Sequence, residues 1–251
     1  MIRMASYLCA AGLFLAVGYG LTWLAGPLLS PPPHTVVARV WALILSGDAL
    51  RELAVTVGRA LGGIALANVL GLTLGLAAGR ILFFSRAVSP LVTAMQACPP
   101  IVWVSLILVW AGTGTLVPMA AVFMATLPPL FVNVAQGARG LNPRLFAMSR
   151  VFDVPWTTRL TRLLVPGVFP FWLAGFSHTL TAGWKVAAMA EYLGSHDGVG
   201  ARIFWAYRRL DMVELYAWVV IVVALGLALE CGLVAWVRGR LHRRERGDKS
   251  C

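Results

Sequence analysis

Residues 140–170, GLNPRLFAMSRVFDVPWTTRLTRLLVPGVFP, connect two apolar segments and are longer than a simple helix bundle needs. Asn142 followed by Pro143 is typical of a helix N-cap and first helical position. Three apolar residues then recur at helical spacing and predict an amphipathic helix: Leu145, Met148 and Phe152. Two basic residues flank this stripe: Arg144 and Arg150. Such a helix can lie on a membrane or dock into a partner's groove, and the spacing favours neither interpretation.

The composition around this connection is that of a membrane protein. Of 251 residues, 59% are hydrophobic and 12% are charged, and the mean hydropathy is +0.80. In soluble proteins about a quarter of residues are charged. The length allows roughly six helical crossings of about 20 residues each, which leaves almost no room for a separate domain outside the membrane. The composition therefore argues strongly against a water-soluble enzyme.

The sequence predicts an all-α membrane protein with six transmembrane helices, at residues 7–29, 53–79, 88–111, 115–136, 166–190 and 214–237. Pro31 begins a run of three prolines that ends the first helix, and a short apolar helix is expected to follow along the outer interface. Residues 1–52 thus hold the first span and the interfacial helix, residues 53–237 a core of five spans, and residues 238–251 a basic cytoplasmic tail. Small residues in the second span are expected to let helices approach closely: Gly58, Gly62, Ala65, Gly71, Gly75 and Gly79.

The formal charge of +11 follows this topology rather than a nucleic-acid patch. With both termini in the cytoplasm, 14 of the 21 Lys and Arg residues lie at cytoplasmic ends and loops, in accord with the positive-inside rule. The basic tail is expected to bind anionic membrane lipid. The four cysteines show neither metal-ligand spacing nor an evident disulfide, so no metal site is predicted.

Charged groups inside a span are costly and therefore point to function. His178 and Lys185 lie seven residues apart on nearly the same face of the fifth helix, where they can line a path for an anion. Alternatively, Lys185 extends its ammonium to the membrane surface or pairs with Glu191 at the outer boundary, and His178 satisfies a neighbouring carbonyl. Glu230 in the last span is expected to be a buried partner or a cavity residue. The third span is expected to be kinked, either as part of a gate or for packing alone, by two prolines: Pro99 and Pro100.

Five segments together carry a resemblance to a known family, in chain order: Leu29-Ser30-Pro31 through the interfacial helix, GLTLGLAAGR at 71–80, CPPIVWVSLILVWAGTG at 98–114, residues 140–170 and AEYLGSHDGVGARI at 190–203. In this order they resemble the permease subunits of bacterial ABC importers of the nitrate, sulfonate and taurine branch, the inner-membrane components of binding-protein-dependent transport. Residues 140–170 resemble the family's cytoplasmic signature loop, with its pattern of Glu-Ala-Ala followed by Gly. Here Ala147-Met148-Ser149 and Asp153 stand at those positions, and the closing prolines are retained.

The resemblance implies a homodimer in the bacterial inner membrane, two cytoplasmic ATPase subunits and an external substrate-binding protein. It makes the amphipathic helix a coupling helix, whose expected ATPase contacts are Arg144, Leu145, Met148, Arg150, Phe152 and Asp153. Asp153 either takes the left-handed position that suits Gly at a helix end or caps the next helix. The resemblance also places Glu191 near the dimer axis or outer gate, where a structural ion pair is favoured. ATP and Mg²⁺ are expected on the partner ATPase, and no cofactor on this chain.

The sequence therefore predicts a permease for a small solute, expected to be an anion such as nitrate, a sulfonate or a taurine-like compound. No Walker A pattern is present, so the energy must come from a separate chain. An ion-coupled secondary transporter is the alternative, although no inverted repeat is visible. A membrane-embedded enzyme is disfavoured because HExxH, GxSxG and paired intramembrane aspartates are absent from the sequence.

Overall fold

The computed structural model describes residues 26–248 together with residues 16, 18–20 and 22–24, and it describes side chains as far as residue 232. In chain order the helices are α1 (Pro33–Leu45), α2 (Asp48–Arg80), α3 (Leu82–Ala97), α4 (Pro100–Ala111), α5 (Leu116–Arg139), α6 (Pro143–Val151), α7 (Trp156–Arg159), α8 (Val165–Gly194), α9 (Val199–Arg208) and α10 (Met212–Asp248). A π-helical turn, Leu160–Leu164, joins α7 to α8. The described part of the chain contains no strand, which confirms the all-α prediction.

Within the described residues, four helical stretches are long and apolar enough to cross a membrane: Asp48–Arg80, Leu116–Arg139, Trp156–Gly194 and Met212–Gly232. Helices α3 and α4 form a fifth if they are counted as one broken span. These stretches correspond to the second to sixth predicted spans. The first predicted span, residues 7–29, lies mostly outside the described residues.

The third predicted span, residues 88–111, is not a single helix. Helices α3 and α4 are bent by 97° relative to each other, and the backbone is extended at Cys98 and Pro99. The cause is the proline pair, because Pro99 disfavours helical geometry at Cys98 and neither proline can donate a backbone hydrogen bond. The kink expected at Pro99 and Pro100 is therefore a complete break between two helices.

The centre of the fold is the packing of α2 and α8 against α5. A Cβ added at Gly75 would lie 2.9 Å from the Cβ of Val134, and one added at Gly79 would lie 2.3 Å from the Cβ of Ala138. Such small residues let two helix backbones approach closely enough for extensive dispersion contacts. The prediction of close approach is confirmed at these two glycines, whereas nothing lies within 4 Å of a Cβ added at Gly58.

Helix α1 is the short helix that was predicted to follow the first span. Val36 and Leu43 are buried in one cluster with Trp218 and Ile221 of α10. Three of its other apolar residues are exposed: Val37, Trp41 and Ile44. Helix α1 thus packs one apolar face against the bundle. The described part of the chain leaves its other apolar face uncovered.

Helix α2 connects two chemically different ends of the bundle. Glu52, near its start, contacts the segment that follows α8, and we call this the network end. Arg80, the last residue of α2, lies beside α6, and we call this the loop end. A helix of 33 residues spans about 50 Å at 1.5 Å per residue. The two ends are therefore far apart and joined by one continuous helix.

We expect Gly79→Leu to lower the free energy of unfolding by about 1–3 kcal/mol, since the added atoms must displace α5. Gly58→Leu is the matched control in the same helix, because the space beside Gly58 is open. Thermal unfolding of the detergent-purified chain measures both losses. Equal losses in the two variants would contradict the packing assigned to Gly79.

Candidate functional site

Helix α6 begins as the sequence predicts. The Oδ1 atom of Asn142 accepts a hydrogen bond from the backbone N–H of Arg144 at 2.9 Å, and Pro143 occupies the first helical position. The three residues of the predicted stripe are all exposed: Leu145, Met148 and Phe152. They border a groove of about 290 Å³ that reaches Leu163. The stripe is thus an apolar surface that the described part of the chain leaves uncovered.

Helix α6 ends at Val151, and Asp153, two residues later, takes the left-handed conformation with a φ of +47°. The backbone N–H of Asp153 donates to the carbonyl of Arg150 at 3.1 Å, and that of Val154 donates to the carbonyl of Ser149 at 3.0 Å. This is the Schellman arrangement, in which Gly is the usual left-handed residue. Asp153 therefore takes the position of the signature glycine. The alternative that it caps the next helix is wrong, because Pro155 is the N-cap of α7.

The other face of α6 is attached to the bundle. The guanidinium of Arg80 lies 3.8 Å from the centroid of the Phe146 ring, a cation–π contact between α2 and α6. Phe146 also packs in a cluster with Leu164 and Val168, which lead into α8. Helix α6 is thus held to two long helices while its opposite face stays exposed.

At the network end, Glu191 of α8 is fully buried and hydrogen-bonded on both oxygens. Its Oε1 accepts from Nη1 of Arg59 at 3.1 Å. Its Oε2 accepts from the Thr56 hydroxyl at 2.8 Å and from the backbone N–H of Gly200 at 3.2 Å. Arg59 is itself only 4% exposed. The structural ion pair favoured for Glu191 is present, and its partner is Arg59.

A second buried carboxylate, Glu52, lies one helical turn before Thr56 in α2. It accepts from the backbone N–H of Gly198 at 2.6 Å and from Nη2 of Arg202 at 2.7 Å. The N–H of Val199 donates to the Thr56 hydroxyl at 2.9 Å. The first N–H groups of α9 thus bind acceptors from α2 and α8, as the partial positive charge of a helix N-terminus favours. Gly198 is required here because its φ is +94° and a Cβ would lie 2.4 Å from the Glu191 carboxylate.

Asp197 completes the network from the loop before α9. Nη2 of Arg59 donates to its carboxylate and also to the Thr115 hydroxyl at 2.8 Å, while Nη1 donates to its backbone carbonyl at 2.8 Å. The hydrogen bond from Arg59 holds the pKa of Asp197 below its usual value, against the smaller opposing effect of burial. Arg59 thus joins α2, α8 and two connecting loops through one side chain.

Lys185 pairs with Glu230 rather than with Glu191. Its Nζ lies 2.8 Å from Oε1 of Glu230 on α10. The prediction of a Lys185–Glu191 pair is wrong because Glu191 is enclosed and bonded by Arg59. Glu230 is confirmed as a partner, but it is not buried: the two side chains are 52% and 45% exposed. His178 of α8 is also exposed, so one face of this helix carries uncovered polar groups.

Pro99 and Pro100 mark the break between α3 and α4. On the far side of the break, Val104 and Ile107 are buried in one cluster with Ala190 of α8. Helix α4 is therefore fixed to the core, and the change of direction in this segment is confined to the break itself.

Sequence reasoning missed the network on α2. Neither Arg59 nor Glu52 is among the site residues that the sequence predicts. The available signal was spacing, since Glu52, Thr56 and Arg59 follow at i, i+4 and i+7 and so form a polar stripe on one face of an apolar helix. Their partners on α8 and at the start of α9 come from more than 130 positions further along the chain, which spacing cannot reveal.

Solved structures share the fold of this chain. The chain is similar to a chain of the MetNI methionine ABC transporter in inward-facing conformations, with a TM-score of 0.62, 18% identity, and coverage of 76% of this chain and 94% of that chain. A chain of an amino acid ABC transporter matches with a TM-score of 0.62 and 14% identity, over 78% of this chain and 96% of that chain. The fold is that of an ABC transporter permease.

The family follows from the sequence match. Residues 67–247 match the model of the binding-protein-dependent transport system inner membrane component, and the chain belongs to this family. It is thus a transport component rather than an enzyme, and the membrane enzyme and the secondary transporter are set aside. Membership also implies an ATPase and a substrate-binding protein as partners.

Curated relatives confirm the branch that the motifs indicated. The chain is 27% identical over 196 residues to the putative aliphatic sulfonates transport permease protein SsuC of Bacillus subtilis, covering 78% of this chain and 71% of that protein. It is 23% identical to the nitrate import permease protein NrtB of Synechococcus elongatus, covering 94% and 88%. It is 21% identical to the taurine transport system permease protein TauC of Escherichia coli, covering 86% and 80%.

We expect Arg59→Met to lower the free energy of unfolding by about 3–5 kcal/mol, because it leaves Glu191 buried without its counter-charge. Arg51→Met, at an exposed position of the same helix, should change it by no more than about 0.5 kcal/mol. Thermal unfolding in detergent compares the stability of the two variants with that of the wild type. A loss at Arg59 no larger than the loss at Arg51 would show that the network does not hold the fold.

We expect Asp153→Val to destabilise the end of α6 by about 1–2 kcal/mol, because a β-branched residue is strongly disfavoured at positive φ. Asp153→Gly is the control and should keep the end of the helix intact. Hydrogen exchange of the amides of residues 153 and 154 measures, in both variants, how well the end of the helix is protected. Unchanged protection in the Val variant would contradict the left-handed conformation at this position.

Proposed function

We propose that this chain forms the translocation unit of an ABC importer as a homodimer in the bacterial inner membrane, driven by two ATPase subunits at the loop end. One observation carries the proposal: the α6 stripe of Leu145, Met148 and Phe152 is exposed on a helix whose other face is attached to the bundle. An exposed apolar stripe on a short helix suits the groove of a partner protein. Three neighbouring residues complete the proposed ATPase contact: Arg144, Arg150 and Asp153.

The attachment of α6 to α2 and α8 supports a mechanical role. When the ATPase subunits close on ATP, they move α6, and the cation–π contact of Arg80 with Phe146 transfers that movement to α2. The cluster around Leu164 transfers it to α8. Packed helices move as rigid bodies, so the dimer alternates its opening. ATP and Mg²⁺ bind to the partner subunits, and this chain needs no cofactor of its own.

The proposed orientation places the loop end in the cytoplasm and the network end outside. It is supported by the charge distribution, since the loop end holds Arg80, Arg139 and the arginines of residues 144–162. Six spans, the first at residues 7–29, put both termini in the cytoplasm, where the basic tail meets anionic lipid. The external binding protein then delivers solute at the network end, where Glu191 holds the outer side closed.

The exposed face of α8 is the proposed wall of the solute path. It carries His178 and Lys185, and the ammonium group of Lys185 can attract the acidic group of a small solute. The break at Pro99 and Pro100 is the proposed hinge of the gate, because it separates two rigid helices. The similar permeases named above for sulfonates, nitrate and taurine favour a small solute with an acidic group.

Affinity purification of the tagged chain from its own membranes tests the assembly. We expect native mass spectrometry to give two copies of the chain with two copies of a nucleotide-binding ATPase. A chain recovered alone from gently solubilised and crosslinked membranes would overturn the proposed assembly.

We expect Leu145→Asp and Phe152→Asp each to abolish copurification of the ATPase, because a charge in the stripe cannot be desolvated in an apolar groove. Thr157→Asp is the matched control: it places the same charge at an exposed position of α7, outside the stripe. All three variants should reach the membrane at normal levels. Retention of the ATPase by both stripe variants would disprove the coupling role of α6.

A further inference from the structure

The groove beside α6, which we call the α6 groove, combines apolar and basic side chains. The exposed stripe of α6 forms its apolar part, and its volume is about 290 Å³. Arg159 and Arg162, from the segment that leads into α8, line the same groove. Nε of Arg159 donates to the carbonyl of Val154 at 2.6 Å, which holds this side chain in place. The groove thus offers apolar surface and positive charge side by side.

The charge around the α6 groove is strongly one-sided. Residues 139–164 contain five arginines and one carboxylate, that of Asp153. Among the described residues, none of these five arginines forms an ion pair. The network end differs, because Arg39, Arg59 and Arg202 each pair with a glutamate there. The positive charge around the groove is therefore left for a carboxylate from outside the described chain, and arginine binds carboxylates strongly.

Two anionic partners can meet these arginines: phospholipid headgroups and a protein. Basic residues beside a membrane attract anionic headgroups. A headgroup neutralises charge but does not cover apolar walls, whereas a protein side chain that enters the groove removes those walls from water. The groove carries both features at once, so it favours a protein that presents an apolar side chain and a carboxylate together.

We propose that the α6 groove receives an apolar side chain of the partner ATPase with a neighbouring carboxylate that pairs with Arg159 and Arg162, so that the docking surface of the ATPase is acidic. The inference rests on the proposed function, because it names the chemistry of the partner at the proposed contact. Helix α6 itself contains no carboxylate that would repel such a surface.

Charge reversal at Arg162 tests the proposal. The tagged chain and its ATPase are held in phosphatidylcholine nanodiscs, and the ATPase that stays bound on dilution gives the affinity. We expect Arg162→Glu to lower the affinity at least about tenfold, because like charges then face each other across the interface. The difference from wild type should narrow as NaCl rises from about 0.1 M to about 1 M, which shortens the screening length from about 10 Å to about 3 Å.

Two further variants make the reversal specific. Arg162→Lys keeps the charge and should bind the ATPase within about threefold of wild type, since exposed ion pairs differ little in strength. Arg86→Glu reverses a charge at an exposed position of α3 outside the groove and should leave the affinity unchanged. Equal losses in Arg162→Glu and Arg86→Glu would overturn the proposal.

A zero-length crosslink identifies the carboxylate directly. The chain has only two lysines, Lys185 and Lys249, so Arg162→Lys adds an amine to a low background. A carbodiimide activates a carboxylate, and the amine then displaces the urea product to form an amide bond. We expect Arg162→Lys to be joined through its new amine to an Asp or Glu of the ATPase, which peptide mass spectrometry locates beside an apolar residue. An equal yield through the new amine of Arg86→Lys would contradict the assignment to the groove.

The lipid composition separates the two anionic partners. If the arginines bind headgroups instead, Arg162→Glu should hold the ATPase as wild type does in phosphatidylcholine and differ from it only in phosphatidylglycerol, and that result would overturn the acidic contact. An ATPase that stays bound equally to wild type and Arg162→Glu in both lipids would also overturn it while leaving the importer proposal intact. A wild-type chain that recovers no ATPase would overturn the proposed function itself.

Discussion

The buried contact between Arg59 and Glu191 is the interaction on which the arrangement of the network end depends. The guanidinium and the carboxylate are 4% and 0% exposed. Such buried charges are stable only if most of their polar atoms are hydrogen-bonded within the protein, because water does not reach them. Thr56, Gly200 and Asp197 supply those bonds. The requirement fixes α2, α8 and α9 against one another, since any rotation of α2 would strand a charge. The same buried face of α2 continues along the helix into the glycines that contact α5.

This arrangement suits the proposed role of α2 in transmitting movement. Charge pairing fixes α2 at one end, close backbone packing holds its middle to α5, and Arg80 attaches its last turn to α6. Dispersion contacts between smooth helix surfaces resist separation of the helices. Charge networks with few alternatives resist rotation. In the proposed coupling, a displacement of α6 is therefore passed to α2 as a whole rather than absorbed by local bending.

Features set by local sequence were predictable, and those set by distant pairing were not. The cap at Asn142 and the left-handed Asp153 follow from backbone chemistry within a few residues. The partner of Lys185 does not follow from the local sequence. Glu191 is nearer in the sequence than Glu230, but it is already enclosed and bonded by Arg59. The proline pair predicted a kink, yet the 97° angle depends on how α4 packs against α8. Helical spacing shows which residues share a face, and only the fold shows what that face meets.

The two ion pairs on α8 differ in burial and in the number of hydrogen bonds that they make. Glu191 accepts hydrogen bonds from Arg59, Thr56 and Gly200 and is sealed from solvent, so an exchange of partners would cost several bonds at once. Lys185, less than two turns away, contacts one carboxylate oxygen of Glu230 at an exposed position. A buried pair with several hydrogen bonds is a fixed joint, because every alternative arrangement loses bonds that water cannot replace. An exposed pair with one hydrogen bond can exchange its partner at a much smaller cost, so it contributes less to the rigidity of the bundle than the Arg59–Glu191 pair does.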